Sequence, residues 1–292
     1  MKENVRRWAF SNSRPSNQQP LDGAVPPSIS SPVSKLLASL LNLILPDDCR
    51  LCGEPLGDFT RIPVCQTCLG APVALVAEHF CARCRTPFLS VHPLDEEGVC
   101  GMCRNGFTEF DAAYSYGAYE GKLRDIIHLL KYQRIEPLAK PLSNLLIKAL
   151  PLDQRFDCVV PMPLHWLRKM LRGFNQAEVI ARPVADYMSI PMVKALRRRS
   201  YRPPQVGLTN AQRRDNVRGI FAVKNQNQIS GRRVLLVDDV FTTGATASAC
   251  SAALKSAGAK HVSLLTLARV DRRPVTAEFR FTPANSTSMG AA

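Results

Sequence analysis

What the 292-residue chain has little of narrows its reading first. It holds no apolar run near the roughly 20 residues that a membrane-spanning helix needs. The longest candidate, residues 33–46, reads Val-Ser-Lys-Leu-Leu-Ala-Ser-Leu-Leu-Asn-Leu-Ile-Leu-Pro and predicts a short helix docked on the following domain. No basic, apolar and small-residue succession marks a secretory signal, so an oxidising compartment is not indicated and the cytoplasm is the expected location. Residues 1–32, rich in Ser, Pro, Asn and Gln, carry too little apolar sequence to fold and are read as a disordered tail. Residues 273–292 are read as a second, loose tail. Acids are scarce as well: 24 Asp and Glu face 38 Lys and Arg, a net charge of +14. That surplus favours anionic partners such as nucleotides, pyrophosphate, nucleic acid or an anionic membrane surface.

Cysteine is plentiful. Eight of the ten cysteines form four Cys-x-x-Cys pairs: Cys49/Cys52, Cys65/Cys68, Cys81/Cys84 and Cys100/Cys103. Two thiolates so spaced can face one ion, and two such knuckles complete a tetrahedral zinc site. Two ribbons in sequence order are the simplest arrangement, while interleaved pairing or a single occupied site stays open. The absent secretory signal argues against a disulfide scaffold, and four tandem copies argue against a redox motif. The gaps between paired knuckles, 12 and 15 residues, suit short β-hairpins, and Gly53 and Gly101 suit tight knuckle turns. A small module with little apolar core takes its folding energy from such a metal, so the zinc is expected to be structural. Cys158 and Cys250 fall in a predicted strand and helix and are expected to be core thiols.

Residues 234–246 read Val-Leu-Leu-Val-Asp-Asp-Val-Phe-Thr-Thr-Gly-Ala-Thr. The apolar run predicts a buried strand ending at Asp238 and Asp239. A hydroxyl-rich turn follows, then an Ala-rich helix whose first-turn N–H groups and dipole suit a phosphate. Thr242, Thr243 and Thr246 add hydroxyl donors, Gly244 lets the backbone approach the anion, and Ala245 completes the expected 5′-phosphate-binding set. The two carboxylates repel phosphate and are suited to accept hydrogen bonds from a ribose diol. The segment resembles the binding motif for 5-phosphoribosyl 1-pyrophosphate (PRPP) of type I phosphoribosyltransferases.

The surrounding sequence alternates strands and helices. Strands are expected at 112–119, 156–161 and 261–268, and helices at 122–132, 138–150, from about Asn175 to Met188, and up to about Ala257. This order implies right-handed crossovers and a largely parallel sheet. The loop after the 156–161 strand carries Arg168, Lys169, Arg172 and Gly173, which offer charge and a close turn for pyrophosphate. Pro183 falls inside the 175–188 helix and predicts a kink or an early break there. Between Lys194 and Arg218 lie Arg197, Arg198, Arg199, Arg202, Arg213, Arg214 and Arg218, read as a long excursion between strands. It suits a lid over a phosphorylated substrate or a grip on single-stranded nucleic acid, but aromatics are too sparse for a base-stacking platform. No general base stands out; His128 and His165 are the candidates.

The four cysteine pairs, Tyr-Glu-Gly-x-Leu-Arg-x-x-Ile-His-x-Leu-Lys-Tyr at 119–132, Val-Pro-Met-Pro-Leu-His at 160–165, Arg-Gly-Phe-Asn-Gln-Ala at 172–177 and Asn-Val-Arg-Gly-Ile-Phe at 216–221 together resemble the ComF family over roughly residues 35–270. The resemblance implies a zinc-ribbon domain, expected at 33–110, fused to a phosphoribosyltransferase-like domain of α/β type I fold at 111–272. It also implies an association with DNA uptake in natural transformation or with DNA used as a nutrient. Single-stranded DNA and proteins of the uptake machinery are then possible partners. By the wider transferase pattern, Asp238 and Asp239 would hold the ribose hydroxyls, Thr242–Thr246 the 5′-phosphate, and the loop from Pro163 to Gly173 the pyrophosphate, with magnesium between pyrophosphate and ribose oxygens. A non-catalytic sensor of PRPP that binds single-stranded DNA is the competing expectation.

Overall fold

A computed structural model of the chain describes residues 48–56, 61–88, 90–105, 108–151, 153–164, 170, 172–198 and 220–270. The expected tails, the helix at 33–46, His165, Arg168, Lys169 and the arginines from Arg199 to Arg218 lie outside them. The cysteine-rich part contains helix α1 (Gln66–Gly70), the antiparallel hairpin β1 (His79–Phe80) and β2 (Pro87–Phe88), and the single turn α2 (Gly101–Arg104). The hairpin frames the Cys81/Cys84 knuckle, so only β2 lies in the 15-residue gap, which also holds a turn closed by an antiparallel bridge between Leu94 and Cys100. Gly53 has φ +77°, as a knuckle turn requires, whereas Gly101 simply begins α2 without a left-handed backbone.

Beyond Phe110 the elements are β3 (Ala112–Ala118), α3 (Gly121–Tyr132), α4 (Ala139–Lys148), β4 (Cys158–Pro161), α5 (Gln176–Met188), β5 (Leu196–Arg198), β6 (Phe221–Val223), β7 (Arg233–Phe241), α6 (Ala245–Ser256) and β8 (His261–Arg269). Four strands form one parallel sheet in the order β3-β8-β7-β4. Its strands are apolar along both faces, as a sheet covered on both sides requires. Val159, Leu235, Val237, Leu265 and Leu267 pack with α3, α4 and α5, while their neighbours Val160, Leu236 and Leu264 pack with α6. Cys158 and Cys250 are fully buried in the α6 layer, as core thiols. Among the described residues no helix is long and apolar enough to cross a membrane.

Two expectations change. β7 does not end at its acids: pairing with β8 continues through Val240 and Phe241, whose apolar side chains extend the strand. Helix α5 does not break at Pro183. The ring removes the N–H that Val179 would accept, but Ile180, Ala181, Val184 and Ala185 bury the flanking turns, and the Ser143 hydroxyl donates to the Ile180 carbonyl at 2.9 Å. Packing therefore outweighs local propensity. Arg197 and Arg198 lie in the short strand β5, paired with β6, at the start of the expected excursion.

Candidate functional site

The C-terminal ends of parallel strands are where an open α/β sheet binds ligands, and here the chemistry-bearing residues gather there. Asp238 and Asp239 are neighbours on β7, so their side chains leave opposite faces of the sheet. Asp238 turns toward α6 and lines a cleft with Thr242, Gly244, Thr246 and Thr266. Its Oδ1 accepts a hydrogen bond from the Asp239 amide at 2.9 Å. Burial pushes its carboxyl up, the Asp239 charge adds to this, and its pKa reaches about 8 against the partial relief given by Lys131 and Arg172.

Asp239 turns toward α3 and is 4% exposed. Its Oδ1 is 2.9 Å from the Lys131 ammonium, which is itself largely buried. Its Oδ2 has no hydrogen-bond partner among the described residues. The sequence reading did not single out Lys131. One signal pointed to it: the only lysine in the last turn of an amphipathic helix that ends near the sheet edge.

Phe241 leads into the turn Thr242-Thr243-Gly244, and α6 starts at once. Gly244 is the residue before the helix, with φ +78°. A Cβ there would strain the backbone and stand 3.1 Å from the Phe241 ring, so this position requires glycine. The Thr243 hydroxyl accepts the Ala245 amide at 3.2 Å, while Thr242 and Thr246 are exposed at the mouth. Hydroxyls and the first turn of a 12-residue helix thus line the cleft.

On the far side, Asn175 caps α5 by accepting from the Ala177 amide at 3.2 Å, and its Nδ2 donates to the Met162 carbonyl at 3.0 Å. That bond ties the base of the loop expected to hold pyrophosphate. Gly173 has φ +82°, which gives the turn expected before α5. Arg172 lies over the Tyr132 ring at 5.3 Å and is near enough to pull on the Asp238 carboxyl. Of the proposed pyrophosphate residues, Arg172 and Gly173 therefore reach this edge, and Arg168 and Lys169 are outside the described residues. His128 sits one turn before Tyr132, with Nε2 2.9 Å from the Tyr119 hydroxyl and its ring packed edge-on to Tyr132.

The cysteines form two sets in sequence order. Cys49, Cys52, Cys65 and Cys68 make one, Cys81, Cys84, Cys100 and Cys103 the other, and within each set all sulfurs lie within 4.8 Å of one another. Tetrahedral zinc with bonds of about 2.3 Å sets its sulfurs about 3.8 Å apart. The separations of Cys52–Cys65 and Cys84–Cys100 are 3.7 Å and that of Cys81–Cys103 is 3.8 Å. Backbone amides point at the sulfurs: Cys65 and Cys100 donate to Cys49 and Cys81 at 3.3 Å. Both sets fit zinc. Without a cation the second set cannot ionise together: side-chain contacts with Cys103 and Cys84 hold the Cys81 thiol far down, while Cys103 is driven far up by the same contact with Cys81.

The second set is fastened to the sheet edge. Arg269, the last residue of β8 and 4% exposed, donates to the Cys84 carbonyl at 2.8 Å and to the Thr86 hydroxyl at 2.6 Å, with its guanidinium 5.1 Å over the Phe241 ring. Phe110 meets Phe241 edge-on at 5.9 Å. The first set sits on α3 through more exposed contacts: Lys122 Nζ donates to the Leu51 carbonyl at 2.8 Å, and Arg50 donates to Gln133.

Comparison with known proteins agrees with both halves. A phosphoribosyl transferase domain model matches residues 175–284, and a double zinc ribbon domain model matches residues 40–104. Competence protein F of Haemophilus influenzae is 30% identical over 178 residues, covering 58% of this chain and 78% of that protein. DNA utilization protein YhgH of Escherichia coli K12 is 27% identical over 234 residues, covering 78% of this chain and 99% of that protein. Competence protein ComFC of Bacillus subtilis is 27% identical over 217 residues, covering 70% and 84% respectively.

Proposed function

This chain belongs to the competence protein F family, and on that premise we propose that it binds PRPP and transfers the phosphoribosyl group to an acceptor base. The observation that carries the reading is the single sheet edge shared by Asp238, Asp239, the Thr242–Thr246 turn, Lys131 and Arg172. Asp238 and Asp239 accept the ribose hydroxyls. The turn and the first amides of α6 hold the 5′-phosphate, since neutral donors at a helix start bind an anion without competing charges. Arg172, with the loop from Pro163 to Gly173, would face the pyrophosphate, and magnesium would offset part of its charge. An Asp238 that keeps its proton, beside an Asp239 neutralised by Lys131, lets a polyanion approach two acids that would otherwise repel it.

The reaction needs no protein nucleophile. The acceptor attacks C1 of the ribose, the C1–O bond to pyrophosphate breaks, and the leaving group takes the electron pair. The protein contributes position and charge stabilisation of an oxocarbenium-like state. Residues 33–110 serve as the zinc-held module and 111–272 as the transferase domain. Thiols that must stay reduced to hold zinc suit the cytoplasm.

The test is release of pyrophosphate from PRPP and magnesium across a panel of nucleobases. Release that depends on one base class, and that disappears in Asp238→Asn/Asp239→Asn, is the expected result. The exposed Arg197 and Arg198 on β5 favour a second reading, a PRPP-responsive protein that grips single-stranded DNA. Saturable PRPP binding with no release for any base, together with salt-dependent single-strand binding, would put that reading first.

A further inference from the structure

We propose that Lys131 is an anion-binding residue of this site, held in reserve by Asp239 and handed to the pyrophosphate group when the substrate arrives. The inference rests on the PRPP reading above and adds a residue from α3, an element outside both the phosphate turn and the pyrophosphate loop. Three observations carry it. The Lys131 ammonium and Asp239 Oδ1 meet at 2.9 Å, with both side chains largely buried. Asp239 Oδ2 is buried without a partner among the described residues. Arg172 stands beside the same helix end, over Tyr132, and acts on Asp238 together with Lys131.

A buried ion pair built only for stability satisfies both carboxylate oxygens, because a half-satisfied buried charge is costly. Here one oxygen is left open at a strand edge that otherwise collects phosphate and sugar groups. The arrangement is complete when a ribose hydroxyl donates to the carboxylate. Asp239 then has a new partner, and the ammonium is available to an anion of higher charge. Lys131 and Arg172 together would flank that anion from two different elements. The ammonium carries three donors on a flexible stem, which suits exchange between a carboxylate and a phosphate oxygen better than the fixed fork of an arginine.

The test uses the zinc-loaded full chain and calorimetric titration with two probes, ribose 5-phosphate and inorganic pyrophosphate with magnesium. Asp239→Asn releases the lysine, so pyrophosphate affinity should hold or rise up to several-fold while ribose 5-phosphate affinity falls. Lys131→Met/Asp239→Asn leaves no lone buried charge to unfold the edge, and its pyrophosphate affinity should fall tenfold or more below that of Asp239→Asn. Lys131→Arg should keep most of it. Equal pyrophosphate affinity in Asp239→Asn and the double variant would overturn the assignment while leaving the PRPP reading intact. Wild-type protein that binds neither ribose 5-phosphate nor PRPP would overturn the reading of the site and this residue with it.

Discussion

The two edges of the parallel sheet treat their carboxylates in opposite ways. At the N-terminal edge, just before β3, Asp111 is fully partnered: Oδ1 accepts from Lys255 at 2.7 Å, and Oδ2 accepts from the Val262 amide at 2.8 Å with His261 Nδ1 at 3.5 Å. Burial pushes its carboxyl up, but the Lys255 ammonium and the Val262 amide outweigh it, and the net shift is downward. At the C-terminal edge Asp238 is pushed up to about 8, and Asp239 keeps one oxygen unpaired among the described residues. Both edges belong to the same strands and the same layers, so burial alone does not explain the difference. The N-terminal edge is finished without a ligand. The C-terminal edge is held at a cost that a sugar, a phosphate or a cation would remove, which is how a binding site differs from a structural network.

The largest effect is expected where the zinc module meets the C-terminal edge. Cys84→Ser should lower zinc from two ions per chain to one by metal analysis and cost more than about 4 kcal/mol, as loss of a structural metal does. Through Arg269 it should also speed hydrogen exchange between Phe241 and Ser248, with no change around Asp111. Cys52→Ser, in the more exposed first set, should remove one zinc as well, with a smaller loss of stability and no change at 241–248. Equal exchange in both variants would break the link between ribbon and edge.

A smaller effect sharpens the contrast between the carboxylates. Asp111→Ala should cost about 2 kcal/mol, because two hydrogen bonds to a charged group are lost at a half-exposed site. PRPP affinity should stay within twofold. The pH dependence should split by edge. Asp111 has a lowered folded pKa, so its stabilisation is present above the unfolded value and is lost as pH falls through the folded one. His261, lowered by burial, also weakens the fold as pH drops below its ordinary range. Asp238 is raised, so stability declines as pH climbs from the unfolded carboxyl value of about 4 through about 8. Asp238→Asn should flatten that alkaline limb and leave the acid limb alone. Thermal melts from about pH 2 to pH 9 on both variants check the split; an unchanged alkaline limb in Asp238→Asn contradicts the raised carboxyl.

Much of the sheet was legible because buried parallel strands leave long apolar runs, and 234–237 and 261–268 are such runs. The strand, the turn and the helix start around Gly244 were legible because an apolar run, then Thr-Thr-Gly, then Ala-rich sequence leaves few other local structures. The cysteine pairs gave the metal, but the pairing in sequence order needed the assembled knuckles. Lys131 was marked only by its place in the last turn of an amphipathic helix, a pattern that does not show it ends up buried against a strand 108 positions later. Arg269 was missed for the same reason: its partners, Cys84 and Thr86, are distant in sequence. Pro183 misled because propensity counts the lost hydrogen bond and not the packing that holds both flanking turns.

The central claim is that the C-terminal edge is a PRPP site, and calorimetric titration of PRPP with magnesium into the zinc-loaded protein tests it most directly. One saturable site per chain is expected. In a folded Asp238→Asn/Asp239→Asn variant its affinity should fall tenfold or more, since the charge-assisted hydrogen bond to the ionised Asp239 contributes roughly 1.5–3 kcal/mol. The same affinity in both proteins, or no binding to the native chain, would contradict the account.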